Sequence, residues 1–317
     1  MREQPVLSDV LKNMTFEGFL MVKAAQQKTA ASGGKYLDLT LMDISGEVNA
    51  KMWDGSVEAP KMGEVIKVRA VMQEYNNHQQ LRIDKLRSAT EADEVNMQRL
   101  IPCAPRTADE MMDQITNRID KMRNTELREL LLKRLDEVGD KLISSPAALK
   151  LHHAERSGLL NHTSTMLKGA DMISEMYPFL DSDLLAAGVI LHDLCKTDEM
   201  YCQIEGMATD YTAEGNLVGH IVMGVSEISR CGKELGTSQE LLLMLEHMIL
   251  AHHDLPEYGS PKAPMFPEAE ALHTLDLLDA RMYEMKREIE KVTPGSFTDR
   301  IWSLDRKLYR RKNVSEK

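Results

Sequence analysis

The hydrophobic period of this chain changes once, near residue 106, and that change constrains its fold more than any other feature. Before it, apolar residues recur at every second position; after it, they recur at helical spacing. A chain that keeps two periods apart builds two separate bodies, and its 317 residues leave room for about two domains at ~150 residues each. In the front part, residues 16–28 form a long extended candidate and residues 31–34 (Ala-Ser-Gly-Gly) a turn. Residues 35–42 alternate, with Leu37, Leu39 and Leu41 on one face and Tyr36, Asp38 and Thr40 on the other. Further strands are expected over 48–53, 63–73 and 79–83. Five strands in under 90 residues, joined by turns, suggest a small closed sheet. The five-stranded OB-fold barrel fits that count.

Behind residue 106 the signals are helical. Residues 107–110 (Thr-Ala-Asp-Glu) form a capping box, with Thr at the cap and Glu three positions later. Helical patterning follows over 111–122 and 126–135, and Ser145 before Pro146 predicts another helix start. From there to about residue 290 the chain reads as helices joined by short loops. The expected organisation is an OB-fold over 1–90, a linker over 91–106 containing Pro102 and Pro105, and connecting helices over 107–150. A helical domain over 151–292 and a basic tail over 293–317 complete it.

The net charge of −11 argues against a protein coated in basic residues for non-specific nucleic-acid binding, but leaves room for a local groove. The charge is uneven: 12 basic against 11 acidic residues over 1–90, 20 against 37 over 91–299, and 7 against 2 over 300–317. No run of about 18 apolar residues suggests a membrane span, and the first ten residues lack a signal-peptide core. The four cysteines (103, 195, 202, 231) form no CxxC pair. A reducing cytoplasm is therefore the simplest compartment.

Chemistry concentrates between residues 152 and 276. His162 lies early in an amphipathic helix. His192 and Asp193 end the strongly apolar run 184–194, and His220 follows Gly219 at a helix start. His252 and His253 close another helix, and Asp276 sits inside a further helical run. Taken singly, any of these histidines is more plainly a surface or capping residue. As a set they differ, because a charged Asp193 at the end of a buried helix is costly without a partner, and a metal is such a partner. A bundle can point side chains from different helices at one site. Imidazole and carboxylate together suit borderline divalent ions.

These residues carry a resemblance. The order His162, His192-Asp193, Asp276 resembles the HD phosphohydrolase superfamily, and His220, His252 and His253 are similar to the extra ligands of its two-metal members. Residues 191–196 (Leu-His-Asp-Leu-Cys-Lys) are similar to the superfamily's signature helix. With the segments 158–163, 219–222 and 251–261 and the strand-rich front, the chain resembles the YhaM family of bacterial 3′-to-5′ exoribonucleases from about residue 14 to about 290. One departure is that Ser157, not glycine, precedes Gly158.

The resemblance implies an N-terminal OB-fold barrel followed by an all-α HD-domain bundle. It implies a metal shell of His162, His192, Asp193, His220, His252, His253 and Asp276, with Asp193 bridging. His192, Asp193 and Lys196 would be catalytic, Lys196 contacting the scissile phosphate or the attacking water. Its plain alternative is a helix-terminal lysine favoured by the macrodipole. His152 and His153 are expected outside the metal shell. The implied activity is degradation of single-stranded RNA, with single-stranded DNA as a further substrate, to nucleoside 5′-monophosphates by water attack on the terminal phosphodiester. Two divalent ions would serve it, Mn²⁺ first, with Mg²⁺ or other first-row ions as alternatives. Alternative readings are an HD phosphohydrolase of small nucleotides or cyclic dinucleotides, and a non-catalytic single-strand-binding accessory protein. A homo-oligomer stays open; a membrane partner is not expected.

For the strand itself, Phe19, Tyr36 and Trp53 are candidates for base stacking and Lys35 and Lys51 for backbone contacts. Tyr36 alternates away from the leucines and is the best exposed stacker, whereas Trp53 is expected in the barrel core. Tyr258 could wall a nucleotide, with a plain turn as the alternative. Arg281 suits phosphate contact or a salt bridge. Residues 210–219 form a lid or, by default, a surface loop. The basic tail 306–312 contacts RNA, contacts a neighbouring subunit, or frays.

Overall fold

The structure is a computed structural model that describes residues 4–30, 33–75, 78–149, 153–202, 206–208 and 210–312; His152 lies outside them. Contacts divide the chain into two units, one ending at Cys103 and also taking in Met207, the other spanning most of the rest from Ala104.

The first unit is a closed barrel of β1 (Thr15–Thr29), β2 (Lys35–Asp43), β3 (Gly46–Met52), β4 (Val65–Tyr75) and β5 (His78–Ser88), in the order β1-β2-β3-β5-β4. Alternation dictates its inside. Leu37, Leu39 and Leu41 face Met52, Ala50 and Val48 across the β2–β3 ladder, and all six are buried. β1 is long enough to serve two neighbours: Phe16 to Met21 pair with β4, and Val22 to Thr29 with β2, with a bulge between Val22 and Ala24. Such a bulge bends a strand and lets a sheet close on itself. A parallel β3–β5 pairing completes the barrel. Phe16, Leu20, Leu37, Leu41, Ile66 and Leu81 are fully buried there, each contributing roughly 1.5–3 kcal/mol.

Trp53 is not in this core. Met52 takes the last inward position, so alternation turns Trp53 out to 58% exposure, where its ring lies 4.9 Å from that of Tyr36. Tyr36 is accordingly half-buried rather than open. Residues 91–103, expected within a linker, pack on the barrel: Leu100 and Ile101 are fully buried against Met21 and Met42.

The second unit is helical: α1 (Ala108–Asp120), α2 (Thr125–Val138), α3 (Lys141–Ser144), α4 (Gly158–Met176), α5 (Ser182–Leu191), α6 (Lys196–Glu199), α7 (Ala213–Leu217), α8 (Gly219–Leu235), α9 (Gln239–Ala251) and α10 (Pro267–Glu290). The capping box at Thr107 and Glu110 opens α1 as expected. α5 is apolar all round and buried from Asp183 to Leu191, as a helix through the middle of a bundle must be.

Two expectations fail here. No helix starts at Pro146. Ser145 is extended at the end of α3, as the residue before a proline prefers to be, and the amide of Ala147 bonds the carbonyl of His153 at 3.0 Å. Residues 210–219 are not a plain loop: Asp210–Tyr211 (β7) pairs with Met200–Tyr201 (β6), and α7 follows. Beyond α10 the chain does not fray within the described residues. Phe297 pairs with Tyr309 and Ile301 with Arg306 in an antiparallel ribbon. Among the described residues no helix is long and apolar enough to cross a membrane.

Candidate metal centre

Five helices bring seven side chains together. His162 comes from the second turn of α4 and Asp276 from the middle of α10. His192 and Asp193 follow the last residue of α5, His252 and His253 follow the last residue of α9, and His220 is the second residue of α8. His162, His192, Asp193 and His252 are at most 1% exposed. Local backbone explains two of these placements. Gly219 has φ +77°, a left-handed turn that glycine adopts freely, and it aims α8 so that His220 enters the site. At Gly158 a Cβ would lie 2.0 Å from the carbonyl oxygen of His153, so only glycine lets α4 begin against that loop.

Asp193 divides the cluster in two. Its Oδ2 lies 3.4 Å from His192 Nε2 and 3.8 Å from His162 Nε2. Its Oδ1 lies 3.3 Å from His220 Nε2 and 3.7 Å from His252 Nε2. Asp276 spans the same division, with Oδ1 3.2 Å from His162 Nε2 and Oδ2 3.8 Å from His253 Nε2. Two ligand sets that share Asp193 are close enough to hold a cation each: His162, His192 and Asp193, and Asp193, His220, His252 and His253; a third grouping, His153, His162 and Asp279, lies behind them.

Every imidazole is oriented through its other nitrogen. Nδ1 of His162 meets Asp279 Oδ2 at 2.7 Å, and that of His220 meets Glu199 Oε1 at 2.9 Å. Nδ1 of His192 meets the Val189 carbonyl at 2.8 Å, that of His252 the Ile249 carbonyl at 2.7 Å, and that of His253 the Tyr258 carbonyl at 2.8 Å. The first two of those carbonyls belong to last helical turns, which leave acceptors without an intrahelical partner. An acceptor on Nδ1 assigns the proton there and leaves the Nε2 lone pair facing the centre. Among the described residues, Asp193 Oδ1, His220 Nε2 and His252 Nε2 are buried with no hydrogen-bond partner. Orphaned buried polar atoms are costly unless something electrophilic meets them. The donor set of neutral imidazoles and carboxylates therefore fits divalent metal ions.

The protonation pattern agrees at His252 and His253 and departs from it at His162. Burial pushes His252 well below its usual range, helped by His253 and His192, and burial lowers His253 as well. Burial raises the cost of charge on Asp193, but Lys196, His192 and His220 outweigh it and keep the carboxylate ionised. Burial likewise opposes charge on His162, yet Asp276 and Asp279 hold its pKa up to about 9. Lys196, the first residue of α6, is 8% exposed, and its Nζ sits 2.6 Å from Asp193 Oδ2 rather than in solvent.

Three contributors were not marked by sequence reasoning as part of the site's support. Asp279 accepts from both His162 and His153, at 2.7 and 2.8 Å; its position three residues after Asp276 on one helix face was the available signal. Glu199 accepts from the ring and the backbone amide of His220, both at 2.9 Å, from six residues beyond Asp193. His153, expected outside the metal shell, stands behind it. It is buried with φ +50°, an uncommon left-handed geometry for a non-glycine residue, and its ring stacks 4.0 Å from that of Tyr283.

The candidates for holding a strand are more scattered. Tyr36 and Trp53 form the ring pair on the barrel, with Lys51 Nζ 5.5 Å from the Tyr36 centroid. Phe19 is half-buried against the Met21–Met42 cluster, with Lys67 5.4 Å from its centroid, and Lys35 is exposed. Tyr258 is 68% exposed beside His253. Arg281 is exposed on α10, five residues from Asp276 and so on a different face from Asp276 and Asp279.

The HD domain family matches residues 159–281. A 3′-5′ exoribonuclease YhaM from Bacillus licheniformis is 39% identical over 92% of the chain and 93% of its own length. The protein of the same name from Halalkalibacterium halodurans is 38% identical over 95% and 94%. That from Bacillus subtilis is 39% identical over 92% and 93%.

Proposed function

The chain belongs to the YhaM family of 3′-5′ exoribonucleases, and from that premise we propose which of its residues carry the reaction. The enzyme is a metal-dependent hydrolase acting on RNA from the 3′ end. We propose that His162, His192, Asp193 and Asp276 would hold one cation and Asp193, His220, His252 and His253 a second, Asp193 contributing to both. Mn²⁺ is the ion we expect, with Mg²⁺ or another first-row ion as the alternative. When bound, such a pair polarises a phosphoryl oxygen and makes water acidic enough to supply a nucleophile near neutral pH.

The rest is the work of the protein. Oxygen acceptors on all five Nδ1 atoms aim each Nε2 at the centre, which is the single observation that carries this reading. Burial would discharge Lys196, but Asp193 and Asp276 keep its pKa raised. Lys196 is thus a fixed cation facing the scissile phosphate, not a base. The barrel holds single-stranded RNA through Tyr36, Trp53 and Phe19, with Lys35 and Lys51 on the backbone, each stacked base contributing ~1–3 kcal/mol. Tyr258, beside His253, contacts the nucleotide at the centre, and Arg281, on another face of α10, contacts RNA away from it. The products are nucleoside 5′-monophosphates, and single-stranded DNA is a second substrate. The four free cysteines suit a cytoplasmic enzyme.

The test is Asp193→Asn, with metal content by mass spectrometry and product sizing on 5′-labelled RNA and DNA. The variant should lose metal, and its rate should fall by more than the ~10–100-fold that removal of an outer-shell partner costs. Full activity with unchanged metal content would refute the assignment. Turnover of mononucleotides or cyclic dinucleotides in place of oligomers would move the substrate class to small nucleotides.

A further inference from the structure

The C-terminal ribbon lies outside everything the metal centre uses, yet it is built and held. Gly295 N donates to Arg310 O at 2.7 Å, Arg310 N to Ser296 O at 2.9 Å, Thr298 N to Leu308 O at 2.9 Å and Ile301 N to Arg306 O at 2.9 Å. Thr298 and Leu304 are buried at 6% and 7%, and Arg310 Nη1 donates to the carbonyls of Glu290 and Val292 at the end of α10. With the inward side of the ribbon spent on Thr298, alternation turns Phe297 and Tyr309 outward. Their rings form a cross-strand pair 5.1 Å apart, exposed at 65% and 47%, and Trp302 at the turn is 90% exposed.

Residues 296–312 carry six cations (Arg300, Arg306, Lys307, Arg310, Arg311, Lys312) against Asp299 and Asp305. Only Arg300 is engaged by one of those aspartates. Lys307, Arg311 and Lys312 are exposed and make no ion pair among the described residues. An ordered ribbon that keeps three rings in water beside free cations, on an otherwise acidic unit, has the pattern of a stacking platform with a backbone track.

We propose that this ribbon is a second contact for single-stranded RNA, stacking bases on Trp302 and the Phe297–Tyr309 pair and holding phosphates with Lys307, Arg311 and Lys312. The proposal rests on RNA being the substrate. The ribbon meets α10 between Glu284, which accepts from Ser303 Oγ, and Val292. Asp276 is eight residues before Glu284 on the same helix, about 12 Å along its axis at ~1.5 Å per residue. The ribbon therefore serves nucleotides upstream of the scissile one, and long substrates should need it while the shortest do not.

The experiment uses the full chain. Trp302→Ala and the double variant Arg311→Ala/Lys312→Ala are compared with the unaltered protein on a 20-nucleotide RNA and on a dinucleotide, with thermal melting as the folding control. Each variant should raise KM for the long RNA, by roughly 5- to 150-fold for the lost indole, and leave dinucleotide turnover unchanged. A readout independent of hydrolysis comes from Trp53→Phe, which makes Trp302 the only indole of the chain. Its fluorescence should be quenched by oligoribonucleotide and, if so, supports stacking directly.

Unchanged KM for the long RNA together with no quenching would overturn the proposal. So would a lower oligomeric mass of Trp302→Ala by light scattering with RNA affinity intact, which would make the ribbon a contact between copies. Failure of the unaltered protein to cleave or bind RNA at all would instead strike the substrate reading, a separable result.

Discussion

Asp279→Asn tests the orientation of the metal centre at its most informative point. One carboxylate oxygen accepts from His162 Nδ1 at 2.7 Å and from His153 Nε2 at 2.8 Å. A hydrogen bond to a charged group is worth about 1.5–3 kcal/mol and a neutral one about 0.5–1.5, so the amide forfeits roughly 1–1.5 kcal/mol at His162, about tenfold in affinity. A second effect has the opposite sign. In the metal-free protein, burial disfavours the charged ring of His162, but Asp276 and Asp279 raise its pKa to about 9. At pH 7 a metal must displace that proton, which weakens apparent binding by about tenfold per pH unit below 9. Without the Asp279 charge the pKa falls back toward its ordinary value, Asp276 still holding part of it, and this proton competition eases. Chelator competition with Mn²⁺ across pH 6.5–9.5 separates the two effects. At the alkaline end the variant should bind about tenfold more weakly, whereas near neutrality the gap should shrink and the pH slope flatten. Loss of affinity by the same factor at every pH would mean general damage, and unchanged affinity at pH 9.5 would mean that Asp279 does not support the metal.

Four further outcomes follow from the structure. Adding Mn²⁺ to unbuffered metal-free protein at pH 7.5 should release close to one proton per molecule from His162, measurable with an indicator dye; no release would contradict its raised pKa. By the same linkage, the protonated ring stabilises the metal-free fold fully below pH 6.5, and that contribution is lost as pH rises through about 9, which melting curves can follow. Burial pushes the Cys195 thiol up to about 11, so at pH 8 about one molecule in a thousand is thiolate, and iodoacetamide should spare Cys195 in the folded protein; peptide mapping that finds rapid labelling would refute this. Ser157 holds φ +61° and donates through Oγ to the Ile143 carbonyl at 2.6 Å. Ser157→Gly should be near neutral, because relief of the left-handed strain offsets the lost bond, while Ser157→Ala should cost about 1–2 kcal/mol in denaturant unfolding.

The sequence made the barrel and the ligand set legible for different reasons. Strand alternation is a local signal, and Leu37, Leu39 and Leu41 point inward in the structure as their spacing implies. Trp53 misled because hydrophobicity was weighed above register: it follows an inward Met52, and its position in the alternation already turns it out. Pro146 misled because a proline can open a helix, and only the preceding extended Ser145 and the bond from Ala147 to His153 tell otherwise. In the site, His192-Asp193 was visible as a charge ending an apolar helix. Glu199 and His153 were not, since what places them is a fold of the chain after α5 and a left-handed residue before α4.

The five acceptors that set the imidazole protons are of unequal kinds. Those of His192, His252 and His253 are main-chain carbonyls, present whatever side chains surround them. Those of His162 and His220 are carboxylates, at Asp279 and Glu199. Each oxygen of Asp193 thus faces one imidazole whose basicity a single substitution can alter and at least one whose basicity is locked into the backbone. Variation at residue 279 or at residue 199 can retune one half of the centre while leaving the other as it was. Under the assignment of one cation to each half, those two positions are separate adjustments of the two sites.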